Sequence, residues 1–93
     1  MIKTFANKET AALFRGFQVR RVPIDVCKRA RSKLVLLDVA LTVDELRSPP
    51  GNRLESLSGD RVGQWSIRIN DQWRICFRFA GGDAFDVDLV DYH

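Results

Sequence analysis

From Gln64 to His93 apolar residues fall at every second position: Trp65, Ile67 and Ile69, then Trp73, Ile75, Phe77 and Phe79, then Phe85, Val87 and Leu89. A period of two is that of a strand with one buried face, so this third of the chain is predicted to form a three-stranded antiparallel meander. Residues that face each other across two strands point to the same side of the sheet, and this parity selects the turns. A three-residue turn of Asn70, Asp71 and Gln72 sets Ile69 opposite Trp73, Ile67 opposite Ile75 and Trp65 opposite Phe77. A two-residue turn would pair Ile69 with Gln72. The same test assigns Gly81, Gly82 and Asp83 to the second turn, which places Phe79 opposite Phe85 and Ile75 opposite Leu89.

The other face follows from the same register. It puts Arg78 across from Asp86, an ordinary ion pair, but Arg68 directly across from Arg74, where like charges destabilise a sheet. Tyr92 lies diagonal to Arg74, and His93, the only histidine, ends the chain. Two readings of this patch are open. It is a site for an anionic substrate, or both arginines splay into solvent and Tyr92 closes the sheet edge.

Ahead of the meander the spacing changes. Ile2 to Phe5 alternates and is expected to join the sheet as an edge strand. Asn7 is placed to cap a helix over residues 8–17, with Leu13, Phe14 and Phe17 as its apolar stripe. Pro23 suits the first turn of a second helix. In it Cys27, Ala30, Leu34, Leu37 and Leu41 recur at spacings of three and four, forming a seam against the sheet. Lys28, Arg29, Arg31 and Lys33 lie mostly off that seam. Thr42 and Glu45 have capping-box spacing for one short turn, which Ser48, Pro49, Pro50 and Gly51 stop. Residues 53–57 read as a strand, and 58–63 as a polar, mobile loop. The expected fold class is α+β: an N-terminal strand and two helices packed on a mostly antiparallel sheet.

Ninety-three residues make one small domain, 1–93. The balance of 45% hydrophobic and 29% charged residues argues against disorder. No apolar run has membrane-spanning or signal-peptide form, so a cytoplasmic protein without a membrane partner is expected. Cys27 and Cys76 lack CxxC spacing, and one histidine does not complete a zinc set with them, so reduced thiols and no metal are expected. Glycine-rich phosphate loops and nucleophile elbows are missing from the sequence, and no cofactor is expected. Charge is distributed lengthwise. Residues 1–53 carry eleven Lys/Arg against five Asp/Glu, and residues 54–93 four against seven. The basic half fits a polyanionic partner, or simply a solvated helix face.

Several stretches together resemble a known family: Pro50-Gly51-Asn52-Arg53-Leu54-Glu55-Ser56-Leu57-Ser58-Gly59-Asp60, Gly63-Gln64-Trp65-Ser66-Ile67-Arg68, Asn70-Asp71-Gln72-Trp73-Arg74-Ile75 and the terminal Asp91-Tyr92-His93. With the order of strand, two helices and sheet, they are similar to the HigB toxins, including GraT-like members, of the RelE/ParE superfamily. The resemblance spans essentially the whole chain. It implies a RelE-like fold and a ribosome-dependent messenger RNA endonuclease held inactive by a co-expressed helix-turn-helix antitoxin of the HigA type. Many HigB members carry a histidine and a lysine where this chain has Glu55 and Ser58, so the resemblance implies either that the remaining residues suffice, as GraT-like members with the same loop suggest, or that activity is weak.

The implied reaction is attack of a ribose 2′-hydroxyl on the adjacent phosphate. It needs a base, an acid for the leaving 5′-oxygen, and cations for the transition state. On the resemblance, Arg74 is the phosphate-stabilising cation, with Arg68 as a second one. His93 is the proton shuttle, Tyr92 stacks on a base or donates a hydrogen bond, and Asp91 orients His93 or shapes the terminus. Strict alternation keeps Asp91 and Tyr92 from facing the same way. Lys28, Arg29, Arg31 and Lys33 are expected to meet RNA phosphates or an acidic antitoxin surface. Rival functions are a gyrase-poisoning toxin of the ParE type and a non-catalytic RNA- or antitoxin-binding module.

Overall fold

The structure, a computed structural model, describes residues 1–92. Helix α1 spans Lys8–Phe14 and α2 spans Ile24–Val39, followed by short 3-10 turns at Val43–Arg47 and Pro50–Asn52. Strands β1 (Glu55–Ser56), β2 (Trp65–Arg68), β3 (Trp73–Ala80) and β4 (Asp83–Asp91) form an antiparallel sheet in chain order. A third 3-10 turn, Gly59–Arg61, lies between β1 and β2. Ile2 and Phe5 bridge Ala84 and Val87 in parallel, so the N-terminal segment does reach the sheet, but as two separate contacts flanking an irregular stretch of β4.

Both helices lie on one face of the sheet. Cys27, Ala30, Leu34 and Leu37 of α2 and Leu13 of α1 are buried with Ile67, Ile75, Phe77, Val87 and Leu89 in one core. Burying an aliphatic or aromatic side chain of this size contributes about 1.5–3 kcal/mol, which is what fastens the layers together. The capping box also forms: the Glu45 carboxylate accepts from the Thr42 backbone N–H at 2.9 Å.

Two residues of the expected apolar stripes are not in the core. Helix α1 stops three residues early because Gly16, at φ 93°, turns the chain. The amides of Gly16 and Phe17 then bond back to the carbonyls of Leu13 and Ala12, both at 3.0 Å. Phe17 is left 65% exposed. Leu41 is 74% exposed because the chain leaves helical geometry at Ala40 (ψ 132°), which takes the buried place instead.

The β2–β3 register is the expected one. Trp65 faces Phe77, Ile67 faces Ile75 and Arg68 faces Arg74. Within the turn, the Asn70 side-chain oxygen accepts from the amides of Gln72 (2.9 Å) and Trp73 (2.8 Å). The β3–β4 hairpin differs. Ala80 pairs with Asp83, so its turn is the two-residue Gly81-Gly82, both at positive φ as a tight hairpin of this type requires. Phe79 therefore faces Ala84 rather than Phe85. A bulge on β4 restores the phase: Arg78 pairs with Phe85 but Cys76 with Asp88, and Asp86 takes a left-handed φ of 54°. Beyond the bulge Ile75 faces Leu89 as expected. Arg78 and Asp86 still form an ion pair at 3.4 Å, although they no longer face each other in register.

Candidate active site

The sheet face away from the helices is not a simple solvated surface. Ser66 and Cys76 on it are fully buried. The chain between β1 and β2 folds back across it, with Arg61 reaching over β3 to Asp88 on β4 (3.3 Å) and holding Gln64 at 3.0 Å. Asp88 also accepts from Asn7, the cap of α1, at 2.9 Å, which ties the cover to the helical layer.

Arg74 lies at the centre of this face. Its Nε donates to Ser66 Oγ at 2.8 Å, and its Nη2 donates to the Arg53 carbonyl at 2.7 Å and the Ser66 carbonyl at 3.4 Å. The Glu55 carboxylate stands 3.9 Å from Nη2. The side chain is only 11% exposed. Nη1 makes no hydrogen bond among the described residues, so the guanidinium is held along one side and keeps donors on the other.

Tyr92 shares this face, its hydroxyl 3.8 Å from the thiol of Cys76. Burial pushes the Cys76 thiol up from its ordinary pKa, and burial together with the contact to Cys76 raises the Tyr92 phenol, against the opposing pull of Arg61 and Arg74. Both groups are therefore protonated at neutral pH, and Tyr92 is a hydrogen-bond donor there. Arg68, opposite Arg74, bonds to Asp71 in the adjacent turn. Asp91 pairs with Trp73 on the helix-facing side and accepts from Gln72 Nε2 at 3.2 Å, so alternation does separate it from Tyr92. His93 lies outside the described residues.

The basic run on α2 divides into two. Lys28 and Arg31 line a shallow cleft with Leu13, Gly16, Phe17 and Cys27, on the helical side of the molecule and behind the sheet from Arg74. Neither has an ion pair among the described residues. Arg29 and Lys33 lie around the helix from this pair. Lys33 is not the free cation expected from its spacing: it is half-buried and donates to the side chain of fully buried Asn52. Burial, and then Arg29, lower its pKa.

Parity already puts Ser66, Cys76 and Asp88 on the face of Arg74. Arg61 and the Arg53 carbonyl were not foreseeable, because they arrive through irregular backbone on either side of β1, whereas Glu55 lies on that strand, within the stretch 53–57 expected to form one.

Two helices on a four-stranded antiparallel sheet, with a guanidinium held on the outer face, define a small α+β domain. Its fold is similar to that of the YoeB-YefM complex from Staphylococcus aureus, with a TM-score of 0.58 at 15% identity over 100% of this chain and 98% of that one. It is also similar to the YoeB/ParE toxin from Agrobacterium tumefaciens, with a TM-score of 0.50 at 17% identity over 98% of each chain. The sequence narrows the class. Residues 3–93 match the family described as RelE-like toxin of type II toxin-antitoxin system HigB, and the chain belongs to this family of HigB-like toxins, whose counterpart is an antitoxin. Endoribonuclease HigB of Proteus vulgaris is 38% identical over 93 residues, the whole of both chains. Toxin HigB-1 of Vibrio cholerae serotype O1 is 40% identical over 70 residues, 75% of this chain and 74% of that one.

Proposed function

We propose that the protein is an endoribonuclease that cleaves messenger RNA on the ribosome without a metal, and so arrests translation in the cytoplasm. The observation that carries this reading is Arg74. Its guanidinium is fixed by Ser66 and the Arg53 carbonyl and, among the described residues, keeps Nη1 unengaged, which is how a preorganised phosphate clamp is built. Its partial burial strengthens its interaction with a phosphate and reduces screening by salt. The name of the Proteus vulgaris relative supports the same reaction.

The 2′-hydroxyl attacks the phosphorus, the 5′-oxygen leaves, and a cyclic phosphate forms. Arg74 binds a non-bridging phosphate oxygen, and Tyr92, protonated, donates to the substrate beside it. Glu55, 3.9 Å from Arg74 Nη2, is a carboxylate on the same side and accepts the 2′-hydroxyl proton, in the place where many HigB members carry histidine. His93 returns a proton to the 5′-oxygen, Asp91 shapes the terminus that presents it, and Arg68 adds positive charge at the periphery.

The antitoxin is of the helix-turn-helix, HigA-like kind, and it docks on the helical side. Phe17, 65% exposed, stands there beside Lys28 and Arg31, which have no ion pair among the described residues, and this fits an acidic segment with an apolar side chain at its centre. Mapping RNA ends in cells that express the toxin alone tests the proposal. Cleaved messages on ribosomes are expected. Intact messages together with gyrase-dependent DNA breaks would assign the protein to the ParE kind, and intact messages with normal DNA would leave a binding module.

A further inference from the structure

Asn52 is one of few polar side chains among the described residues that are fully buried, and both polar atoms of its side chain have partners. Its Nδ2 donates to the Leu46 carbonyl at 3.1 Å and the Ser48 carbonyl at 3.3 Å, and its Oδ1 accepts from Lys33 on α2. The residue closes the turn Pro50–Asn52, with backbone bonds from Asn52 N to the Pro49 carbonyl (2.9 Å) and from Arg53 N to the Pro50 carbonyl (3.1 Å). Arg53 then adopts a left-handed conformation, φ 44° and ψ 57°. A residue other than glycine stays in that region only where its surroundings over-determine it. What this conformation delivers is the Arg53 carbonyl, 2.7 Å from Arg74 Nη2.

The geometry points to Asn52 and Lys33 as positioning residues for Arg74: a buried strut that runs from α2 through Asn52 to the Arg53 carbonyl and fixes the plane of the guanidinium. The inference rests on the reading of Arg74 as the phosphate-binding group. It explains why a lysine in a basic run is turned inward and spent on an amide while its neighbours Lys28 and Arg31 stay in solvent. It also explains how a two-residue edge strand, β1, is registered well enough to hold one side of a catalytic cation. A guanidinium free to rotate would present its fork correctly only part of the time. The strut acts on the rate of the chemical step rather than on general RNA affinity.

Lys33→Met removes the donor and keeps the aliphatic stem. The first readout is independent of activity: solvent exchange of the Arg74 Nε–H in nitrogen-15 NMR, assigned by its loss in Arg74→Lys. This proton is held by Ser66, and its exchange is expected to accelerate about tenfold or more in Lys33→Met as the fork loosens. The second is a double-mutant cycle on ribosome-bound message. Lys33→Met is expected to lower kcat about tenfold with KM unchanged in the wild type, and to change it less than about twofold in the Arg74→Lys background. Lys33→Arg, which restores a donor, is expected to return both readouts toward wild type; should Lys33→Met melt far below wild type, Lys33→Gln, which also removes the ammonium but stays polar, carries the same test. Unchanged exchange, or a kcat loss that simply adds to that of Arg74→Lys, would overturn the strut. A wild-type protein that cleaves no RNA would remove the endonuclease reading, while the exchange measurement still decides whether Asn52 and Lys33 position Arg74.

Discussion

Arg68 and Arg74 face each other directly across β2 and β3, yet their side chains part: Arg68 turns to Asp71 in the hairpin loop, and Arg74 turns toward β1, to Ser66 and the Arg53 carbonyl. The like-charge repulsion implied by the register is relieved by giving each guanidinium its own acceptors. Arg74 is the more deeply buried of the two, its side chain 11% exposed against 30% for Arg68, and it is the one we assign to chemistry.

Arg74→Lys keeps the charge and loses the fork. RNA cleavage is expected to fall about 10²–10³-fold, the scale for removing one preorganised donor from a developing oxyanion. The acceptors at Ser66 and Arg53 lose a partner, which costs about 1–3 kcal/mol and lowers the melting temperature by several degrees without unfolding the domain at room temperature. Single-turnover cleavage beside a thermal melt measures both. Normal cleavage with a normal melt would exclude the role.

Glu55→Gln retains size and hydrogen bonding but removes the proton acceptor. Cleavage is expected to drop about 10²-fold or more, and Glu55→His is expected to recover much of it, since an imidazole also accepts a proton near neutral pH. A pH–rate profile of the three proteins separates them: the histidine variant should gain an ascending limb close to neutrality. Equal rates for all three would show that Glu55 only balances the charge of Arg74.

Tyr92 is the sole tyrosine, so ultraviolet titration of the phenolate reads it directly. Its midpoint is expected above the ordinary phenol value, because burial and Cys76 favour the protonated form. Removing Arg74 removes a charge that stabilises the phenolate and should move the midpoint further up, whereas Cys76→Ala should move it down. For stability the sign is fixed. The raised folded-state pKa favours folding fully below the unfolded phenol pKa, and this contribution is lost as pH rises through the folded value. A midpoint at or below that of free tyrosine would contradict the packing of Tyr92 over Cys76.

Lys28→Glu/Arg31→Glu should slow antitoxin association at low salt by about tenfold or more, with the difference shrinking as salt rises, because both side chains are exposed and screened. Stopped-flow association at two ionic strengths decides it. Arg29→Glu/Lys33→Glu is a poorer probe, since Lys33 serves Asn52 and its loss confounds charge with structure.

Much of the sheet was legible from parity alone: the Arg68–Arg74 pairing, the Asn70–Gln72 turn and the Ile75–Leu89 contact all follow from alternation. The α2 seam was legible at Cys27, Ala30, Leu34 and Leu37 for the same reason, a strong period. Phe17 and Leu41 were misplaced because a periodic pattern does not announce where backbone geometry ends it. Gly16 and Ala40 do so here. The surroundings of Arg74 were legible only in part. The sheet contributes Ser66, but the carbonyl of Arg53 and the carboxylate of Glu55 come from a stretch whose path is set by Asn52, and no local pattern marks a buried asparagine as structural.

The tight Gly81-Gly82 turn and the bulge at Asp86 bear on how this hairpin tolerates change in length. The turn withdraws one residue from the loop and the bulge returns it, so the tip and root of the hairpin run on different reading frames. Thr4 supports the slip from the neighbouring segment: its hydroxyl accepts from the Asp86 amide at 2.8 Å and its carbonyl from Val87 N at 3.1 Å. An insertion or deletion at the glycines can thus be absorbed at Asp86 without disturbing the strand beyond it. The same change placed after Val87 has no such buffer. It would exchange the faces of Asp91 and Tyr92 and carry the phenol away from Cys76 to the helical side.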